Sequence, residues 1–185
     1  MFSSYLKLGF EHILDPKGLD HVLFILVLAV PFLLKDWKKV VLLATAFTLG
    51  HSLTLALSSL NIIKVNSTMV EILIAVSIFI TAVYNIIDVN KNRVSVKYPT
   101  ALIFGLIHGM GFSNFFKSIL GKDDIVLPLF AFNIGVELAQ IIIVLITLML
   151  SWLAVNVLKV KQKYWIYSIS GIVLFWSLKM IVERI

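Results

Sequence analysis

The chain contains no cysteine. That excludes disulfides, thiolate metal ligands and a cysteine nucleophile together, and leaves the redox compartment unmarked. Charge is also scarce. Only 14% of the 185 residues are Asp, Glu, Lys or Arg, against about 25% in an ordinary soluble domain. The net charge of +6 sits in short clusters between apolar runs, so it reads as a topology signal and not as a surface for nucleic acid. No nucleotide-binding motif is present, so any transport would be facilitated or ion-coupled. No cleavable signal peptide is expected, because residues 1–18 carry Glu11, Asp15 and Lys17 and no small-x-small site follows a short apolar core.

Apolar sequence fills the remainder. Hydrophobic residues make up 60% of the chain, and the mean hydropathy is +1.01. The excess comes as long uninterrupted runs, the pattern of an integral membrane protein. Backbone groups in lipid must be satisfied internally, so runs of this length are helices. The prediction is an all-α integral membrane protein, a bundle of about six transmembrane helices in a single transmembrane domain over 1–185. A short amphipathic helix within residues 1–18 is expected at the interface, closed by Asp15-Pro16-Lys17-Gly18. The spans are expected at about 19–34, 40–60, 69–87, 99–116, 125–158 and 165–182.

Basic residues orient the spans. Lys35, Lys38 and Lys39 follow the first, Lys91, Arg93 and Lys97 the third, and Lys159, Lys161 and Lys163 the fifth. Those loops are expected in the cytoplasm, with both termini outside. The opposite side carries Lys7, Lys17, Lys64, Lys117, Lys122, Lys179 and Arg184, spread over four segments.

The ionisable residues inside the apolar segments carry the functional signal. His51 and His108 fall midway along the second and fourth spans, Glu137 in the outer half of the fifth. Asp20 and His21 open the first span, Glu71 opens the third, and His12 lies in the amphipathic helix. An ionisable group near the bilayer centre costs about 2.5–3.5 kcal/mol on insertion scales. Under the proposed orientation all seven reach a similar depth, in or beside the outer half. Asn133, Glu137 and Gln140 make one polar stripe, and His51, Thr54 and Ser58 another. Gly105 and Gly109 form a small-xxx-small pair beside His108, which invites close approach of a neighbouring helix. Imidazole and carboxylate without thiolate suit zinc, nickel, cobalt or ferrous iron. The phenylalanines are expected to face lipid or the interface, and Asn85 and Asp88 to mark a helix exit. Ser52 is expected to bond back to its own turn.

The segments GFEHILDPKGLDHVLF, FTLGHSLTL, VEILIAVSI, FGLIHGMGF and FNIGVELAQ together resemble the HupE/UreJ family of small bacterial membrane proteins. The resemblance covers residues 9 to 141. It implies a permease of the bacterial inner membrane for a divalent metal, chiefly nickel, and a first-helix histidine followed by an Asp-His pair, matched by His12, Asp20 and His21. The gap from His12 to that pair is longer than in the hydrogenase-linked members. IHGMGF also departs from their histidine-glycine-x-x-histidine-glycine-x-glutamate piece. Both departures place the chain nearer the second branch of the family.

The leading expectation is therefore a metal permease whose ion, nickel, zinc or cobalt, is held by His12, Asp20, His21, His51, His108, Glu71 and Glu137. The alternative is an intramembrane zinc hydrolase acting on a lipid or membrane-borne substrate, with Glu71 or Glu137 as general base. Haem between His51 and His108 is a third reading, without any redox motif to support it. The expected partners are the lipid bilayer and the metal ion, not nucleic acid. Assembly into a homo-oligomer is left open.

Overall fold

The computed structural model describes residues 1–16, 18–64, 66–89, 94–120 and 125–185. Lys17, Lys91, Arg93 and Lys122, counted above as loop charges, lie outside the described residues. Among the described residues the chain forms eight α-helices and no strand. They are α1 (Phe2–Leu14), α2 (Asp20–Ala29), α3 (Trp37–Ser59), α4 (Ser67–Ile87), α5 (Val94–Gly111), α6 (Ser113–Leu120), α7 (Val126–Trp152) and α8 (Gln162–Arg184). A π-helical segment, Leu153–Val157, prolongs α7. Among the described residues, four helical segments are long and apolar enough to cross a membrane: Leu34–Ser59, Ser67–Ile87, Val126–Val157 and Gln162–Arg184.

Their outward faces are apolar, unlike those of a soluble bundle, and polar side chains are turned inward among packed apolar ones. On α7, Gln140, Thr147 and Ser151 are buried while Leu138, Ile142, Ile146 and Met149 are exposed. On α8, Ser170 and Ser177 are buried while Ile172, Phe175 and Val182 face outward. Lipid offers no hydrophobic reason to hide leucine, so small and polar residues mediate helix contact instead.

Two expected spans take a different form. The first shrinks to α2, ten residues, about 15 Å at 1.5 Å per residue, which is half of a ~30 Å hydrocarbon core. It begins at Asp20, an acidic group favourable at a helix N-terminus, and ends just ahead of Pro31. The helix is almost wholly buried, so the end carrying His21 lies inside the bundle. The fourth span divides at Phe112 into α5 and α6.

Glycines set the closest helix pairs. A Cβ at Gly50, Gly105 or Gly109 would fall 2.2 Å from Leu102 O, 2.1 Å from Phe47 O or 2.1 Å from His51 O, so α3 and α5 touch backbone to backbone. The pair α1 and α7 repeats the device. A Cβ at Gly9 would lie 2.0 Å from Phe132 O, and one at Gly135 2.0 Å from Leu6 O. Helix α1 is thus seated against α7 more tightly than a helix merely lying at the interface requires. At the other side of the bundle α4 packs on α8.

Lys97 departs from its expected place in a loop. Because α5 starts at Val94, Lys97 lies in its first turns and is only 6% exposed. Asn85 is likewise no simple helix exit: it is buried, and its amide donates to Val27 O at 2.6 Å. Asp88 does lie at the exit of α4, where it accepts from the Tyr84 hydroxyl.

Candidate metal centre

Close packing of α3 with α5 and of α1 with α7, around the short α2, carries four imidazoles into one volume. His12 comes from the last turn of α1, His21 from the first turn of α2, His51 from mid-α3 and His108 from the last turn of α5. Ring centroids are 4.6 Å apart for His12 and His21, 5.7 Å for His21 and His51, 5.9 Å for His12 and His51, and 5.2 Å for His21 and His108. His12, His21 and His51 each offer a ligand atom such that all three atoms lie within 4.8 Å of one another.

The hydrogen bonds around the rings determine which nitrogens are available. Asp20 Oδ1 lies 2.9 Å from His21 Nδ1, and a carboxylate only accepts, so Nδ1 carries the proton and Nε2 keeps its lone pair. His108 Nδ1 lies 2.8 Å from Phe104 O, with the same consequence. Among the described residues, His12 Nε2, His21 Nε2, both nitrogens of His51 and His108 Nε2 are buried without a hydrogen-bond partner. Such an outer partner on the far nitrogen is how metal-ligating histidines are oriented. Buried polar atoms are normally satisfied, so a cluster of orphaned imidazole nitrogens is the feature that a metal ion would complete. Imidazole suits nickel, zinc, copper and iron.

The walls are aromatic. Phe112 packs on His12 at 3.9 Å between centroids, Phe47 lies 5.0 Å from His108, and Phe24 5.2 Å from His108. Phe132 is stacked at 6.3 Å on His51. The expectation that phenylalanines face lipid holds for Phe115, Phe130 and Phe175, which are exposed, and fails for Phe24, Phe47 and Phe132, which are fully buried. Apolar residues on the spanning helices line both the lipid-facing and the inward faces, so hydrophobicity alone does not separate the two groups.

A cavity of about 300 Å³ opens onto the cluster, lined by His12, His21, His108, Asp20, Glu71 and Arg184 among others. Asp20 is therefore beside the site, holding His21, with its second oxygen 3.8 Å from Arg184 Nη2. Glu71 is at the cavity mouth, 3.8 Å from Arg184 Nε, and its backbone carbonyl accepts from Arg184 at 2.8 Å. Sequence reasoning treated Arg184 only as a loop charge; its contact with α4 is a product of the α4–α8 packing.

Glu137 is placed elsewhere. Its carboxylate accepts from the Thr45 hydroxyl at 2.6 Å and from Thr48 at 2.5 Å, across the α3–α7 contact. Gln140, on the same stripe, also faces Thr48. Ser52 donates back to Thr48 O, and Thr54 donates across to Leu106 O at 2.7 Å.

The family model described as HupE / UreJ protein matches residues 1–184. This chain belongs to the HupE/UreJ family. Members of that family are associated with metal transport, of nickel and cobalt. No match was found among curated proteins or among solved structures. With four apolar helices long enough to span, this HupE/UreJ chain is a multi-pass membrane protein. Of the three residues that the resemblance singled out, His12 on α1 and His21 on α2 meet in the cluster, and Asp20 holds the His21 ring.

Proposed function

We propose that this chain is a permease that carries a divalent transition metal, nickel foremost, across the bacterial inner membrane from the extracytoplasmic side. Among the described residues, five buried imidazole nitrogens on four histidines, without hydrogen-bond partners and gathered at the end of a cavity that also carries Asp20 and Glu71, carry the reading. Asp20 and Glu71 supply negative charge on the way in. The histidines then replace part of the hydration shell of the ion. Their spacing suits passage. Ligands of a zinc-like ion at ~2.1 Å can be at most ~4.2 Å apart, so nitrogens up to 4.8 Å apart must draw in slightly. A somewhat open site binds firmly enough to admit an ion and loosely enough to release it, as conduction requires.

The same geometry weighs against the hydrolase. A metal-bound water would need a carboxylate base within reach of the histidines, but Glu137 is engaged by two threonines and Glu71 by Arg184. The six-pass architecture follows as part of the proposal. Helices α3, α4, α7 and α8 make four passes, and α2 and α5, each extended by its flanking segments, make two more.

Elemental analysis of the purified protein, followed by Ni²⁺ uptake into metal-free proteoliposomes, tests the function. Uptake is expected with the native chain. His51→Ala is expected to lose most bound metal and most flux while staying folded. A folded His51→Ala protein with full metal content and undiminished uptake would remove the cluster from the mechanism. Metal binding without any uptake by the native chain would remove the permease.

A further inference from the structure

A second cavity, of about 110 Å³, lies beyond the histidines, lined by Phe24, Phe104, Thr81, Asn85, Lys97 and Thr100 among others. At ~30 Å³ of liquid per water, it has room for a few waters or a partly hydrated ion. It lies on one line with the metal centre. Along α5, His108, Phe104, Thr100 and Lys97 follow at helical spacing on one face, and along α2 so do His21, Phe24 and Leu28. Phe24 stands between the two spaces. Its ring is 5.2 Å from His108 on one side and 5.9 Å from Phe104, and both phenylalanines wall the second cavity. One aromatic layer therefore separates the histidines from this second cavity, whose walls are mainly apolar and carry the polar side chains of Thr81, Asn85, Lys97 and Thr100.

The chamber contains a buried lysine, an odd group to meet on the way of a cation. Lys97 donates to Asn85 Oδ1 at 3.2 Å and lies 5.0 Å from the face of Phe32. Asn85 is held by its own bond to Val27 O. The titratable groups facing Lys97 come from α4: Tyr84, which lines the chamber, and Asp88, to which the Tyr84 hydroxyl donates. Helix α2 and the segment after it present only Phe24, Leu28 and Phe32. No carboxylate forms an ion pair with the ammonium among the described residues.

We infer that this chamber is the second station of the permeation path, and that Lys97 is its charge gate, blocking a divalent cation while protonated and admitting it when neutral. The inference rests on the permease reading. Its physics is elementary. An ammonium and a divalent ion sharing a chamber of this size repel each other far beyond thermal energy at interior dielectrics. Lysine can release its proton, whereas arginine cannot.

Lys97→Arg and Lys97→Met then act in opposite directions, which a structural role would not produce. Ni²⁺ uptake is measured in proteoliposomes between about pH 7 and 8.5, above the ordinary histidine range of ~6.5. Co²⁺ absorption reports occupancy of the histidines independently of flux. The native chain is expected to transport faster as pH rises. Lys97→Arg should lose at least about tenfold in flux across the window with the Co²⁺ spectrum unchanged. Lys97→Met should transport at or above the native high-pH rate, with the pH slope gone. If Lys97→Met does not fold, Lys97→Gln, which keeps a donor for Asn85, carries the same expectation. A mild Lys97→Arg with a defective Lys97→Met, or a neutral variant that retains the native slope, overturns the gate while leaving the permease standing. Co²⁺ binding with no uptake by the native chain overturns both.

Discussion

At the scale of single residues, the chain separates groups that could touch a metal from groups that hold them. The histidines keep unshared nitrogens, while Asp20 and Glu137 commit oxygens to hydrogen bonds. Asp20 is engaged by the His21 ring and backbone amide, and Glu137 by Thr45 and Thr48. Sequence placed all seven groups at one depth but could not apportion them, because depth follows from span register while partners follow from helix rotation and packing. Glu137→Gln distinguishes the roles. An amide in place of the carboxylate leaves Thr45 or Thr48 facing an NH₂ donor instead of an acceptor. The expected loss is about 0.6–1.7 kcal/mol, the range of interhelical hydrogen bonds in membranes, seen as a lower Tm, with metal stoichiometry preserved. Loss of bound metal at unchanged Tm would instead make Glu137 a ligand, reached by rotation away from the threonines.

At the scale of elements, close approach of helices builds the site. The Gly105/Gly109 pair was legible in the sequence, because small residues four apart beside a polar group mark a contact face. On α7 the run Ala131, Gly135 and Ala139 carries the same small-residue spacing, but Gly9 stands alone in α1, so the contact of α1 with α7 was not legible and becomes a pair only across space. Nor was the shortness of α2 legible. The apolar run continues past Ala29 to Leu34, and only Pro31 hints at the stop. That truncation places the His21 end of the helix at the depth of His51. Helix α3 and α5 position their histidines through the same contact, so Gly109→Ala is expected to disturb the metal centre without touching a ligand. The new Cβ would meet His51 O at 2.1 Å and Thr54 Oγ1 at 2.5 Å, and the helices must part. Overpacking of this kind costs about 1–3 kcal/mol, and Co²⁺ affinity should fall with the Tm. Gly171→Ala is the control. Nothing lies within 4 Å of its Cβ, and alanine is the better helix former by up to ~1 kcal/mol, so its Tm should hold or rise with affinity unchanged. Equal behaviour of the two variants would detach the metal centre from the α3–α5 contact.

At the scale of the whole molecule, the two ends of the bundle differ in charge and in what they open onto. At one end Gln162 donates to Pro31 O, which joins the segment after α2 to the start of α8, and a shared cleft there includes Lys35, Asp36, Val89 and Lys163. Exposed Lys35, Lys38, Lys39, Lys159, Lys161 and Lys163 belong to the loops of this end. At the other end the mouth of the metal centre gathers Asp15, Asp20, Glu71 and Arg184. Lys97, buried in α5, no longer counts as loop charge, yet its removal from the tally leaves the lysine-rich end clearly basic and the mouth mixed. Short loops rich in lysine stay in the cytoplasm. On the proposed function the histidine mouth would face outward and the Lys97 chamber would lie in the inner half, so a metal ion would pass the histidines before it meets the lysine. Because the chain has no cysteine of its own, single substitutions report sidedness without background. Lys38→Cys and Lys161→Cys, both at exposed positions, should resist a membrane-impermeant maleimide in intact spheroplasts and react once the membrane is permeabilised. Asn61→Cys, exposed at the close of α3 on the opposite end, should react in both. The reverse pattern would turn the molecule over, put the lysine chamber first on the inward path, and make the histidine cluster the exit of the permease instead of its entrance.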